Sequence, residues 1–246
     1  MRLHAATRCE RWMACAALVA GSIAALIGGC PREVVIEGGD SLTYANQTDP
    51  TNRGASYVGS ASCRNCHSDV AERYALHGHQ FALTQAGGGA NRFPAGTSAG
   101  VPDPPPGLEW GDVSYLIGGY RKGANFVGAD GFLVTTGQTG LPSQWNLASG
   151  PRGVEAMFVD YEADAAEPLP LTFVCFRCHT TGPAAQNADS ARSQDNRPGI
   201  QGTWSEAGVQ CEACHGPGSG HFSTSRGQVR IDLAAIFVDS DGDASC

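Results

Sequence analysis

The chain has 246 residues, a formal net charge of −8 and only 16% charged residues, with 33 Gly and 14 Pro. The acidic balance argues against nucleic acid or another polyphosphate as partner, and the length allows one or two domains. Gly and Pro run high for a packed domain and long apolar runs are rare after residue 30, so side chains alone promise a thin core.

Arg2, Arg8 and Arg11 lead into an apolar run from Trp12 to Gly29, the pattern of an export signal. The run closes on Ile27-Gly28-Gly29-Cys30, which resembles the cleavage box of a bacterial lipoprotein. In that reading residues 1–29 are removed and Cys30 carries the lipid that ties the chain to a membrane. An uncleaved anchor and an ordinary signal peptide are the alternatives. All three place the remainder outside the cytoplasm, in the periplasm or cell envelope. Without residues 1–29, thirteen basic residues stand against twenty-three acidic ones. Residues 30–56 are polar and aperiodic and read as a tether to a domain spanning 57–246.

That domain opens with CRNCH (Cys63, Cys66, His67). The pattern returns as CFRCH (Cys175, Cys178, His179) and as CEACH (Cys211, Cys214, His215). C-x-x-C-H is the attachment motif of a c-type haem. Two thiols three positions apart reach the two vinyl groups on one edge of the macrocycle. The next residue then turns its imidazole under the iron as proximal ligand. Zinc sites and disulfides also use paired cysteines, but neither needs a histidine after each second cysteine. Three copies in a chain with seven histidines make haem c the cofactor, with at least three groups.

Ser68 to Thr84 predicts a helix, with Ser68 as N-cap and Asp69 in the first turn. Val70, Tyr74, His77 and Phe81 share one face of it, and Ala71, Ala75, His79 and Ala82 another. His77 and His79 then point about 200° apart. The small alanines around His79 admit a flat macrocycle, so His79 is the favoured sixth ligand here. His77 is a second candidate, with a place at a haem edge or propionate as its alternative. Residues 86–107 are a Gly/Pro-rich loop. Over 110–136 the stretch NFVGADGFLVT predicts a β-hairpin. Trp110, Tyr115, Tyr120, Phe126, Phe132 and Trp145 read as the small core of that insertion rather than as haem-packing rings. Lys122, the only lysine, reads as a solvated residue rather than an axial ligand. Thr180 to Gly202 is polar and loop-like. After the third motif, CHGPGSGH makes a tight turn that returns His221 towards the haems as a further sixth ligand, its haem left open. His77, His79 and His221 match three haems in number and favour bis-histidine iron. Met157, the only Met after residue 30, serves at most one.

YVGSASCRNCH followed by YALHGHQFALT resembles the opening of the cytochrome c-554 family of multihaem cytochromes. Tyr74 stands where that pattern usually has Trp, His77 where it has Ser, and His79 falls on its ligand histidine. VSYLIGGYRKGANFVGADGFLVT, CFRCHTTG and GTWSEAGVQCEACHGPGSGH resemble exported multihaem cytochromes of the wider group. CEACHGPGSGH is also similar to an element of octahaem reductases and hydroxylamine-oxidoreductase-like proteins. The resemblance covers Tyr57 to His221 in patches and implies a multihaem cytochrome, with less bearing on one biochemical role.

The chain ends on Cys246 in GDASC, an echo of GSASC before the first motif. Cys246 reads as the first cysteine of a severed fourth haem motif. The expected fold is mainly α with much irregular structure, a multihaem cytochrome c architecture carrying a small β-hairpin insertion. The expected role is electron transfer between a redox protein donor and an acceptor, the partner bearing a basic docking patch. A catalytic oxidoreductase acting on a small nitrogen or sulfur compound at an open iron is one alternative. A cytochrome module of a larger respiratory assembly is the other.

Overall fold

The computed structural model describes residues 33–37, 46, 49–87, 89–90, 93–147, 155–188, 190–225 and 228–238. The expectations for the signal at 1–29, for Cys30 and for Cys246 lie outside the described residues, as does much of the 30–56 tether.

Strands dominate. β1 (Glu33–Glu37) precedes the first motif and β2 (Leu83–Gln85) follows it. β3 (Val113–Gly118), β4 (Gly123–Gly128), β5 (Phe132–Leu133), β6 (Gln144–Asn146), β7 (Met157–Val159) and β8 (Leu169–Thr172) fill the stretch before the second motif. β9 (Thr180–Thr181), β10 (Ala184–Ala185), β11 (Ile200–Thr203) and β12 (Glu206–Ala207) separate the second motif from the third. β13 (Phe222–Ser225) and β14 (Gln228–Asp232) come last. The α-helices are short: α1 (Ser60–Arg64), α2 (Ser68–Tyr74), α3 (Thr136–Thr139), α4 (Phe173–Phe176) and α5 (Cys211–His215).

Among the described residues, nine strands form one mixed sheet in the order β10-β11-β8-β5-β4-β3-β2, with β6 on β4 and β7 on β6. Only β11 and β8 run parallel in it; the other pairs are antiparallel. β1-β14-β13 form a three-stranded sheet, and β12 pairs β9. The protein is therefore mainly β, and the mainly α expectation is corrected. Each haem motif needs only one helical turn, so the motifs contribute little helix. β4 and β5 do pair around Ala129-Asp130-Gly131, with Val127 opposite Leu133. They are the middle of the sheet rather than a small insertion.

β3, next to the edge strand β2, is covered on both faces. Val113 to Leu116 are all buried, so β3 lacks the polar–apolar alternation that marks a half-exposed strand. The period of two is nevertheless at work. Tyr115 pairs Val127 and both enter a cluster with Leu83, Leu133, Leu171, Phe176, Ile200 and Trp204. The next pair, Leu116 and Phe126, enters a second cluster on the other face, with Ala86, Val101, Val113, Ala124 and Val134. Trp110 and Trp145 pack against this second cluster. Trp110, Phe126 and Trp145 thus lie on one face and Tyr115 on the other, while Tyr120 packs against Phe81 and Phe93, so these rings do not gather in one local core. The 180–202 stretch also departs from a plain loop, since it carries β9, β10 and the start of β11.

The helix expected over 68–84 is broken. α2 stops at Tyr74, His77 is extended (φ −91°, ψ 137°), and a 3₁₀ turn covers Gly78–Phe81 before β2 begins. Tyr120 supplies the reason. Its hydroxyl donates to the Leu76 carbonyl at 2.6 Å, a group that a continuing helix would use internally. Its ring lies so close to Gly78 that a Cβ there would come 2.8 Å from Tyr120 Cδ1.

Gly131 closes the β4–β5 turn at φ +92°, and a Cβ on it would lie 2.8 Å from Arg197 Cβ and 2.9 Å from Ile200 Cγ1. Gly140 has φ +68° with nothing within 4 Å of such a Cβ. Gly131→Ala is expected to lose about 2–3 kcal/mol and Gly140→Ala about 1 kcal/mol. Guanidinium denaturation followed by far-UV circular dichroism would measure both; equal losses would show that backbone strain alone, without the clash, sets the cost.

Candidate haem-binding site

Each C-x-x-C-H segment is wound into a single turn. In the first, the amides of Cys66 and His67 donate to the Cys63 carbonyl at 3.2 and 3.0 Å. In the second, Arg177 N–H donates to Phe173 and His179 N–H to Phe176, each at 3.0 Å. The third is α5 itself, from Cys211 to His215. This winding puts the two sulfurs of a motif on one side of a turn and the following histidine beside them.

Three of the histidines are held in one tautomer. His179 Nδ1 lies 2.8 Å from the Ala82 carbonyl oxygen, and His215 Nδ1 lies 3.1 Å from that of Phe237. His221 Nδ1 lies 2.9 Å from the Asp232 carbonyl oxygen. A carbonyl only accepts, so each Nδ1 carries the proton and each Nε2 keeps its lone pair. That is the arrangement in which an imidazole ligates a metal while a backbone carbonyl fixes its orientation.

The second motif is seated directly on the main sheet. Phe176, between its two cysteines, is 1% exposed and belongs to the Tyr115–Trp204 cluster. Leu83, Ile117, Leu171, Cys175, Phe176 and His179 line a small apolar cavity. Val174 is 69% exposed, and Val70 and Leu76 beside the first motif are 50% and 55% exposed. Apolar surface of this kind next to paired thiols and an oriented imidazole fits a flat, largely apolar macrocycle. A zinc reading fits less well. Among the described residues, no three of His, Cys, Asp and Glu converge as a zinc site requires.

The first and third motifs lie against each other. The Cys63 thiol hydrogen-bonds to Cys211, which pulls the Cys211 thiol down and, with burial, pushes Cys63 up. Cys211 is thereby the more readily ionised of the two. Cys214 is disulfide-bonded, so a thioether at that position requires the bond to be opened first. Cys66, Cys175 and Cys178 are exposed free thiols.

Two carboxylates that sequence reasoning passed over join these motifs. Glu212, inside the third motif, is 2% exposed. It accepts from the amides of Val58 at 3.0 Å, Gly59 at 2.8 Å and Gly218 at 2.7 Å. Glu206 accepts from the Ser60 amide at 2.9 Å and its hydroxyl at 2.8 Å, at the start of α1. The buried Asn52 amide donates to the carbonyls of His215 and Pro217, both at 2.9 Å. No local pattern announces these partners, because every one of these bonds joins 52–60 to 206–217 or closes the loop beyond.

The remaining histidines are placed as follows. His77 and His79 come together edge to face with ring centroids 4.6 Å apart, where a continuous helix would have kept them on different faces. His77 also stacks on Tyr74 at 5.8 Å, and the Tyr74 hydroxyl donates to the Val209 carbonyl. The His67 and His221 rings stand 6.5 Å apart, centroid to centroid, with planes 19° from parallel. Lys122 is exposed in the β3–β4 turn and Met157 is 52% exposed on β7.

Residues 157–216 match the family model Cytochrome c554 and c-prime. The matched stretch holds the second and third motifs complete and supports a haem c protein with more than one haem. No curated protein matches the chain. Among solved structures, it is similar to an undecahaem cytochrome from the S-layer of Carboxydothermus ferrireducens, with 19% identity and a TM-score of 0.43. That likeness covers 80% of this chain and 24% of the other. It is also similar to the outer cell wall cytochrome OcwA, with 23% identity and a TM-score of 0.41, covering 67% of this chain and 32% of that one. The chain thus spans 24% and 32% of the lengths of these neighbours, and likeness at this level carries no residue correspondence.

Glu212→Ala leaves three amide donors without their acceptor and is expected to cost about 2–4 kcal/mol. Glu212→Gln keeps one acceptor oxygen and is expected to cost about half as much. Denaturation midpoints of the two variants would check the ordering; equal midpoints would contradict it.

Proposed function

We propose that the protein carries electrons outside the cytoplasm through at least three covalently bound c-type haems. Cys63 and Cys66 would attach the first, Cys175 and Cys178 the second, and Cys211 and Cys214 the third. His67, His179 and His215 are the proximal ligands, with His79, His221 and His77 as the candidates for the sixth positions. The observation that carries this reading is the shared backbone anchoring of His179, His215 and His221, which leaves Nε2 of each ring as the free ligand atom. The family match over 157–216 supports haem-based electron transfer in general terms.

When bound, such haems supply one-electron chemistry at iron. The chain's own residues do the rest. Backbone carbonyls orient the imidazoles and raise their basicity. Phe176 and Leu171 give the second site an apolar wall. The carboxylates of buried Glu212 and half-buried Glu206 lie between the first and third motifs, where negative charge would favour ferric iron and lower its potential. Imidazole rather than Met as sixth ligand acts in the same direction. The acidic surface suits a redox partner with a basic docking patch.

Export with a lipid on Cys30 completes the proposal. Among the described residues, no helix is long and apolar enough to cross a membrane.

The mature protein, produced in a host that attaches c-type haem, is expected to show at least three haem masses. Replacing Cys175 and Cys178 together with Ser should remove one of them. An unmodified polypeptide mass from such a host would refute the reading.

A further inference from the structure

Asn46 and Asn52 are both buried, and neither belongs to a C-x-x-C-H unit. Asn52 spends its whole side chain. Its Nδ2 donates to the carbonyls of His215 and Pro217, both at 2.9 Å, and its Oδ1 accepts from Asn46 Nδ2 at 2.5 Å. An amide side chain has two N–H donors, so neither is left over. The Asn52 backbone sits at φ +49°, a left-handed conformation that asparagine adopts more readily than most residues. Gly216 packs against it, and a Cβ there would lie 2.8 Å from Asn52 Nδ2.

The last turn of a helix leaves carbonyls without partners, and capping α5 would account for Asn52 alone. It does not account for what Asn46 does. The Asn46 backbone carbonyl accepts from the Val238 amide at 3.1 Å. That amide and the Phe237 carbonyl belong to one planar peptide unit. The Phe237 carbonyl is the group that His215 Nδ1 meets at 3.1 Å, and the Phe237 amide returns to the His215 carbonyl at 3.2 Å. Asn46 therefore holds the peptide that accepts the ring proton, while Asn52 holds the backbone of the histidine that donates it. The bond between the two asparagines ties the ends together. Hydrogen bonds in series polarise one another, so a peptide with its N–H engaged accepts more strongly at its oxygen. A stronger bond from Nδ1 makes Nε2 the more basic ligand atom.

We propose that Asn46 and Asn52 are positioning residues for the third haem. Together they fix the bond from His215 Nδ1 to the Phe237 carbonyl and through it hold down the potential of the iron that His215 ligates. The proposal rests on the haem reading above and adds to it two residues that touch neither haem sulfur nor ring nitrogen. A more basic imidazole stabilises ferric over ferrous iron, so loosening the bond raises the potential of that one haem.

The test uses the full haem-loaded chain. Asn52→Gly keeps the left-handed backbone free of strain while removing the side chain. It is expected to retain every haem by intact mass and to raise the midpoint potential of one haem in a spectroelectrochemical titration, with the others unmoved. With histidine labelled by ¹⁵N, the His215 Nδ1 proton should exchange with solvent faster than in the wild-type chain. Asn46→Ser breaks only the tie between the asparagines and should raise the same potential by less; it carries the test if Asn52→Gly does not fold. In a Cys63→Ser, Cys66→Ser background, which lacks the first haem, the shift from Asn52→Gly should persist. A shift that vanishes there would belong to the first haem, whose motif follows Asn52 in the chain, and would overturn the assignment. A lowered denaturation midpoint with all haems attached and every potential unchanged would reduce both residues to a helix cap. That result would overturn the proposal and leave the electron-transfer reading intact, whereas a wild-type chain without haem mass would overturn both.

Discussion

The Glu212 carboxylate is the interaction on which the arrangement of the first and third motifs depends. A buried carboxylate is costly unless its oxygens are saturated with donors. Here backbone amides meet that requirement, and they come from two distant segments: Val58 and Gly59 ahead of the first motif, and Gly218 behind the third. Because backbone amides cannot swing away as side chains can, the carboxylate fixes the separation of the two segments. Glu206 repeats the device at Ser60, where it also satisfies a free amide at the start of α1. Asn52 adds a third tie, to the carbonyls of His215 and Pro217. The contact between Cys63 and Cys211, and the facing of His67 and His221, both follow from this frame.

The second motif is positioned differently. Apolar packing seats it, with hydrogen bonds from His179 and Thr180 beside it. Phe176 is sunk into the face of the main sheet shared by Tyr115, Val127, Leu171 and Trp204, and His179 reaches the Ala82 carbonyl just before β2. The sheet therefore acts as a floor for one site while the carboxylate frame joins the other two. β2 links the two systems, since it follows the 3₁₀ turn of His79 and pairs with β3 at the sheet edge.

The chemistry of attachment was legible in the sequence because it is local. Two thiols and an imidazole at i, i+3 and i+4 meet on one turn whatever the rest of the chain does. The β4–β5 turn was legible for the same reason, from Ala129-Asp130-Gly131 between apolar runs. The sheet as a whole was not. Residues 113–116 are buried on both sides, and a strand without alternation looks like any short apolar run. The helix drawn through His77 and His79 failed because its periodicity was real only as far as Tyr74. Tyr120, more than forty residues on, takes the Leu76 carbonyl and packs on Gly78. A side chain from elsewhere in the chain thus ended an element that local propensity favoured.

By itself, then, the sequence determined the number of complete C-x-x-C-H units and which histidine follows the second cysteine of each. Covalent spacing decides such things before folding begins. Only the tertiary structure decided which motifs are neighbours, which face of the sheet receives the second, and which distant imidazole stands opposite which. Those outcomes depend on buried carboxylates finding amides from other segments and on strands pairing across long gaps. Neither leaves a signature in any window of consecutive residues.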